Sequence, residues 1–229
     1  MTLPPAEPSI VPAPVASIAP VARRGDLQLG RRLFHAVNGV AIASSYAVLF
    51  THEEIVRLFG TVACLVYIVD RIRVAYPELL ARAPWINRLF FRAEEQFRES
   101  AMIPYAIAIL LTTLTVPKAA APIAIYTLAL ADPLSALVGI RWGRHRIGGT
   151  KSIEGSGTFF VVTALIAATV LAASAAPPVG SLVGAAVLIA LAGTILEALP
   201  LRLDDNLTIP LGVGFASWGV CIWLAIGLP

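Results

Sequence analysis

The chain has 229 residues, of which 58% are hydrophobic and only 14% charged, with a mean hydropathy of +0.81. That balance excludes an ordinary soluble domain and fits a protein that crosses a membrane several times. The formal charge of +3 and the pI near 9.1 reflect loop charge in such a protein and give no ground for a nucleic-acid partner. Cys64 and Cys221 fall in separate apolar runs, which excludes a disulfide framework and a cysteine metal site.

Residues 1–26 contain Pro4, Pro5, Pro8, Pro12, Pro14 and Pro20 among Ala, Val and Ser. No helical period survives that spacing, so the segment reads as a disordered cytoplasmic tail, and it lacks the basic start and unbroken apolar core of a signal peptide. Residues 27–229 read as one polytopic membrane domain. Seven apolar runs follow, at about 30–50, 54–75, 100–117, 119–141, 156–175, 180–200 and 207–228, each suited to a helix crossing a ~30 Å core. The expected fold is therefore all-α, a bundle of about seven transmembrane helices. Between the second and third runs, residues 76–99 mix Arg82, Arg88, Arg92 and Arg98 with Trp85, Phe90, Phe91 and Phe97, as an amphipathic segment lying in the interface does.

Charge sets the expected orientation. With the N-terminus in the cytoplasm, every Arg and Lys except Arg57 and Lys118 falls on the cytoplasmic side, so the positive-inside rule gives N-in and C-out. Only Lys118 and Lys151 are lysines, and the Ala-rich, Lys-poor composition matches a GC-rich bacterial genome, hence an inner-membrane location. The polar clusters all fall on the cytoplasmic side. A transporter places polar groups near the bilayer midplane, whereas one-sided polarity suits an enzyme that meets a soluble substrate at the membrane face.

Arg31, His35 and Asn38 share one helix face, with Arg32 beside it. The Arg pair there suits either anchoring of the helix at the headgroups, with His35 at the interface, or a cation pair for phosphate, with His35 as hydrogen bonder or proton carrier. Asp70-Arg71-Ile72-Arg73 reads as an interface anchor of the second run. Asp132 lies about nine residues inside the end of the fourth run, where an unpaired charge costs about 3 kcal/mol. It reads as a metal ligand or catalytic base, and Pro133 should distort the helix. Gly139 and Gly143 allow close helix approach.

The loop GRHRIGGTKSIEGS, from Gly143 to Ser156, offers backbone N–H groups at Gly148 and Gly149 and a cation at Lys151. It is not a Walker A sequence, because Gly149 stands where that motif needs Lys. Ser152, Glu154 and Gly155 complete the expected phosphate-binding set, although Glu154 also suits a helix N-terminus. Near the last run stand Glu197, Asp204, Asp205 and Asn206. Together with Asp132, these oxygen donors suit Mg²⁺ or another divalent cation, while Asp205 or Asn206 would also serve as an N-cap.

In that order RRLFHAVNG, ADPLSALVGIRWG, IGGTKSIEGS and EALPLRLDDNLTIP resemble the CTP-dependent polyprenol kinase family, which includes dolichol, phytol and farnesol kinases and a CTP-dependent diacylglycerol kinase. The resemblance covers about 29–228. It implies that residues 27–229 form a lipid-kinase domain that uses CTP as co-substrate and a divalent cation to phosphorylate a long-chain lipid alcohol. By position it carries the family's functional residues onto Arg31, Arg32, His35, Asp132, Lys151, Glu154, Asp204, Asp205 and Asn206. Asp132, His35 and Lys151 are the catalytic expectations. This sequence has Ala131-Asp132 where the family often has Gly-Asp, Arg31-Arg32 where it often has Arg-Lys, and Glu99-Ser100-Ala101 in place of a Thr-Gly pair. Rival readings are a diacylglycerol kinase, a cytidylyltransferase that forms a CDP-lipid and, more distantly, a transporter.

Overall fold

The computed structural model describes residues 29–76, 100, 102–147, 151–200 and 203–228, without the side chains of 29–31. The expected tail, almost all of the interfacial segment, Gly148 and Gly149 lie outside the described residues. The described residues are helical throughout apart from turns and one isolated bridge between Arg146 and Ser152.

Helix α1 is Leu29–Val48 and α2 is His52–Ala75. A capping box starts α2: the Glu54 N–H donates to the Thr51 hydroxyl at 3.3 Å, and the Thr51 N–H donates to Glu54 Oε2 at 2.9 Å. Helix α3, Met102–Thr115, ends where Pro117 begins a turn, with the Ala120 N–H donating to the Pro117 carbonyl at 2.9 Å. Helix α4 (Ala121–Tyr126), a π-helical segment (Thr127–Ala131) and α5 (Asp132–Arg141) then form one continuous rod. Helices α6 (Ile153–Ser174), α7 (Val179–Ala198) and α8 (Asp205–Trp223) complete the chain.

Among the described residues, four helical stretches are long and apolar enough to cross a membrane: Ala121–Arg141, Ile153–Ser174, Val179–Ala198 and Asp205–Trp223. Helix α3 is apolar but has only 14 residues, about 21 Å at 1.5 Å per residue. Helices α1 and α2 are long but carry more polar residues, including His35, Asn38, Glu53, Arg57 and Asp70.

The rod is shared by two apolar cores. One joins Ile123, Leu128 and Ala131 to Phe159, Ile189 and Val213 of α6, α7 and α8. The other joins Ala121 and Ile125 to Tyr46, Ile55 and Ile109 of the first three helices. The π segment contacts α1, α6 and α8. Its cause is local in the sequence. Pro133 has no N–H, and its ring would clash with the carbonyl four residues back. The chain widens just before it, and the Asp132 N–H bonds to the Thr127 carbonyl five residues back. The expected distortion at Pro133 is thus a π turn rather than a break.

Helix α1 and the rod run antiparallel. The Ser44 and Tyr126 hydroxyls meet at 2.7 Å, Gly39 faces Ala129, and Arg32 acts on Asp132. The expected interface anchor at Asp70 and Arg73 is instead buried. Asp70 Oδ1 lies 2.7 Å from Arg73 Nη2 and accepts from its Nε at 2.9 Å, while Oδ2 accepts the Ser100 N–H at 3.4 Å. The acid therefore ties the end of α2 to the start of α3. Sequence periodicity gave no sign of this, because the partner lies 30 residues away.

Candidate active site

Three elements distant in sequence converge on Lys151. Its Nζ lies 2.7 Å from Glu197 Oε1 at the end of α7 and 3.1 Å from Asp205 Oδ2 at the start of α8. Glu197 is 3% exposed. Its second oxygen accepts a hydrogen bond from the Ser156 hydroxyl at 2.9 Å. Both carboxylate oxygens are thus engaged, as a buried charge requires. Burial alone would push the Lys151 pKa down. The hydrogen bond to Glu197 and the charges of Asp205, Glu197 and Asp132 outweigh burial, and the ammonium titrates above an ordinary lysine.

Asp132 is half-buried at the junction of the π segment and α5. Lys151, Asp205, Arg32 and Glu197 all act on it electrostatically. Arg32, Asp132, Lys151, Glu197 and Asp205 therefore form one neighbourhood built from α1, the rod, the loop before α6, α7 and α8. His35 and Asn38 are half-buried on α1. Arg31 belongs to α1, but its side chain lies outside the described residues.

The loop that presents Lys151 is locked from both sides. The Ile147 N–H donates to the Lys151 carbonyl at 3.0 Å, and the Ile153 N–H donates to the His145 carbonyl at 2.9 Å. Ser152 caps α6 by accepting the Gly155 N–H at 3.1 Å. Its hydroxyl sits among three glycines. A Cβ on Gly143 would stand 2.7 Å from Ser152 Oγ, one on Gly139 3.0 Å and one on Gly155 3.2 Å. The Gly155 Cβ would also come within 2.9 Å of the Ser135 carbonyl. These glycines let the end of α5 and the start of α6 touch, which fixes where Lys151 emerges.

Glu154 points elsewhere. It takes the His145 N–H with both oxygens at 3.3 Å and lies 2.8 Å from His145 Nδ1. It braces the loop rather than facing Lys151. Asp204 is the N-cap of α8, accepting the Asn206 N–H at 2.9 Å, a role for which Asp205 and Asn206 are the alternatives in the sequence. The cap leaves Asp205 directed at Lys151, and Asn206 lies in the first turn of α8.

Among the described residues no group of three or more His, Cys, Asp or Glu gathers as a metal cage. Asp132 and Asp205 offer carboxylates of the kind that would suit a Mg²⁺ ion arriving with phosphates, since such ions take one or two carboxylates and keep other positions for waters and phosphate oxygens. Sequence reasoning missed Ser156 and His145. Ser156 and His145 stood inside a quoted motif without a role, because only packing reveals their partners.

Over 108 residues the chain is 40% identical to a phytol kinase of Synechocystis sp., covering 45% of this chain and 46% of that protein. The chain thus matches about half the length of this curated relative. No family model matches the chain, and no solved structure matches it. The helical architecture, the four apolar spans and this relative define a membrane protein with a polar site at one end of its bundle.

Proposed function

We propose that the protein is an integral membrane kinase that transfers the terminal phosphate of a nucleoside triphosphate to the hydroxyl of an isoprenoid alcohol of the phytol class. The observation that carries this reading is the convergence of Glu197 and Asp205 on Lys151 beside Asp132. Phosphoryl transfer needs positioning and charge neutralisation more than covalent help. The similarity to a phytol kinase supports the acceptor class, and the family resemblance supports CTP as donor.

In this reading Lys151 and Arg32 hold the triphosphate, joined by Arg31 and the Gly148-Gly149 backbone. Asp132 and Asp205 would hold the Mg²⁺ that accompanies the nucleotide and neutralises its charge. The alcohol enters sideways from the bilayer, and its oxygen bonds to the γ-phosphorus in line with the departing bridging oxygen. Its proton passes to Asp132 or His35, and a nucleoside diphosphate leaves. The bundle spans a bacterial inner membrane seven times with this site at the cytoplasmic face; the distribution of arginine supports that orientation.

The test is transfer of label by the purified protein in vesicles with Mg²⁺, γ-labelled CTP and ATP in parallel, and phytol, farnesol, undecaprenol and diacylglycerol as acceptors. Label in an extractable isoprenoid phosphate is the expected result. Label in diacylglycerol alone would change the acceptor. Pyrophosphate release with formation of a CDP-lipid would overturn the kinase reading in favour of a cytidylyltransferase.

A further inference from the structure

One aromatic side chain reaches the candidate site from outside every motif. Tyr105 of α3 lies against the imidazole of His35, with ring centroids 4.3 Å apart and planes tilted by 53°. Its phenol oxygen is closed to solvent and has no hydrogen-bond partner among the described residues. That oxygen rests 3.4 Å from where a Cβ on Gly39 would stand, and the same Cβ would meet the Ala129 methyl at 2.6 Å. Gly39 thus lets α1, α3 and the π segment close on one another.

The antiparallel register fixes the level of His35. It lies four residues before Gly39 on α1, and Asp132 lies three residues beyond Ala129 on the rod. At about 1.5 Å per residue the two are carried roughly 6 Å and 5 Å toward the same end of the bundle. His35 and Asp132 therefore stand at one depth, with Tyr105 against the imidazole. Tilted aromatic pairs hold their geometry because the ring edges and faces carry opposite partial charge.

We propose that Tyr105 is a positioning residue that fixes the imidazole of His35 at the level of Asp132, so that His35 receives the proton of the lipid alcohol. The inference rests on the kinase reading above. In the step concerned, the alcohol oxygen bonds to the γ-phosphorus, and the bond from that phosphorus to the bridging oxygen breaks. The hydroxyl proton moves to an imidazole nitrogen, and the nucleoside diphosphate departs with the bond's electron pair. Tyr105 touches none of the reacting atoms and acts through the tilt of the ring beside it.

The experiment compares Tyr105→Phe, Tyr105→Leu, His35→Ala and the double variant His35→Ala/Tyr105→Leu in vesicles with phytol and CTP. Tyr105→Phe keeps the ring and should retain kcat within about threefold, whereas Tyr105→Leu should lower kcat by about 10-fold to 100-fold with the nucleotide KM within about twofold. On the His35→Ala background, Tyr105→Leu should have no further effect. Equal losses with and without His35 would show a merely structural role and overturn the proposal. Imidazole NMR gives a readout that needs no turnover. The chain has three histidines, so His35→Ala identifies the His35 ring signals, which Tyr105→Leu should shift and Tyr105→Phe should leave near their place. An unmoved His35 signal in the Leu variant overturns the proposal. If Tyr105→Leu fails to fold, Tyr105→Met carries the same comparison. A wild-type protein that transfers no phosphate defeats the kinase reading, while the ring signals still decide whether Tyr105 holds His35.

Discussion

The chain's two lysines stand at opposite ends of the bundle and are held in different ways. Lys118, in the turn between α3 and the rod, donates to the Phe50 carbonyl at 2.8 Å and stands 5.9 Å over the Tyr46 ring. It closes the end of α1 against the turn. Lys151 faces two carboxylates, one almost fully buried, with a third close enough to act on it. A lysine on a carbonyl and a ring face has partners that ask for a single positive charge and nothing more. A lysine among three acids sits where negative charge has been gathered in excess of it. The first arrangement holds chain segments together, and the second is organised to receive further charged groups.

The widest separation should come from neutralising each lysine. Lys151→Met is expected to lower kcat for lipid phosphorylation by at least about 100-fold, measured with saturating nucleotide in vesicles. It should also destabilise by about 3 kcal/mol or more, because Glu197 is left buried without its counter-charge; Lys151→Arg, which retains the charge, separates the two effects. Next in size is Asp205→Ala against Asp204→Ala. The first removes a carboxylate from Lys151 and should cost about 10-fold to 100-fold in kcat/KM. The second removes an N-cap and should cost about 1 kcal/mol in thermal unfolding with the smaller loss of activity. Equal losses from the two aspartates would break the distinction between cap and site.

A third comparison is pH. The folded pKa of Lys151 lies above that of the unfolded lysine. Its ion pairs therefore stabilise the fold fully below the unfolded value, about 10.4, and lose that contribution only as pH rises through the higher folded value. Wild-type and Lys151→Met unfolding midpoints should not converge between pH 6 and pH 9. A gap that closes in that window would mean a lowered pKa. The smallest effect belongs to Lys118→Met. It should cost about 1 kcal/mol from the lost carbonyl hydrogen bond and leave phosphorylation within about twofold. A large loss of activity there would show that the two ends are coupled.

Hydropathy marked the helical runs because a membrane-crossing helix writes its length directly into a run of apolar residues. Ends were read less well. Helix α6 starts at Ile153 rather than near 156, since Ser152 caps it and a cap is a matter of one hydroxyl. Lys151, Asp132 and Asp205 stood out because a charge beside or inside an apolar run is costly and needs a reason. Their partnership with Ser156 and Glu197 could not be seen, as pairing across 41 residues depends on how α6 and α7 pack. Tyr105 was hidden for the opposite reason. An aromatic in an apolar run satisfies the pattern and raises no question, and only the approach of His35 gives it a role. Asp70 and Arg73 were misplaced because charges at the end of a run look alike whether they face headgroups or each other.

The π turn ahead of Asp132 has a consequence for heredity. Such a turn amounts to one residue more than a regular helix needs between two faces held in place. Loss of a single codon within 127–131, together with replacement of Pro133, would be absorbed by closing that turn into α, leaving Ala121–Tyr126 and Asp132–Arg141 on the faces they now present. Loss of one codon within 134–138, beyond the turn, has no such outlet and would swing the rest of α5 by about 100°, carrying Gly139 away from Ser152 and Gly155. Descendants of this gene can therefore shorten the rod at one place and keep the acid where it is.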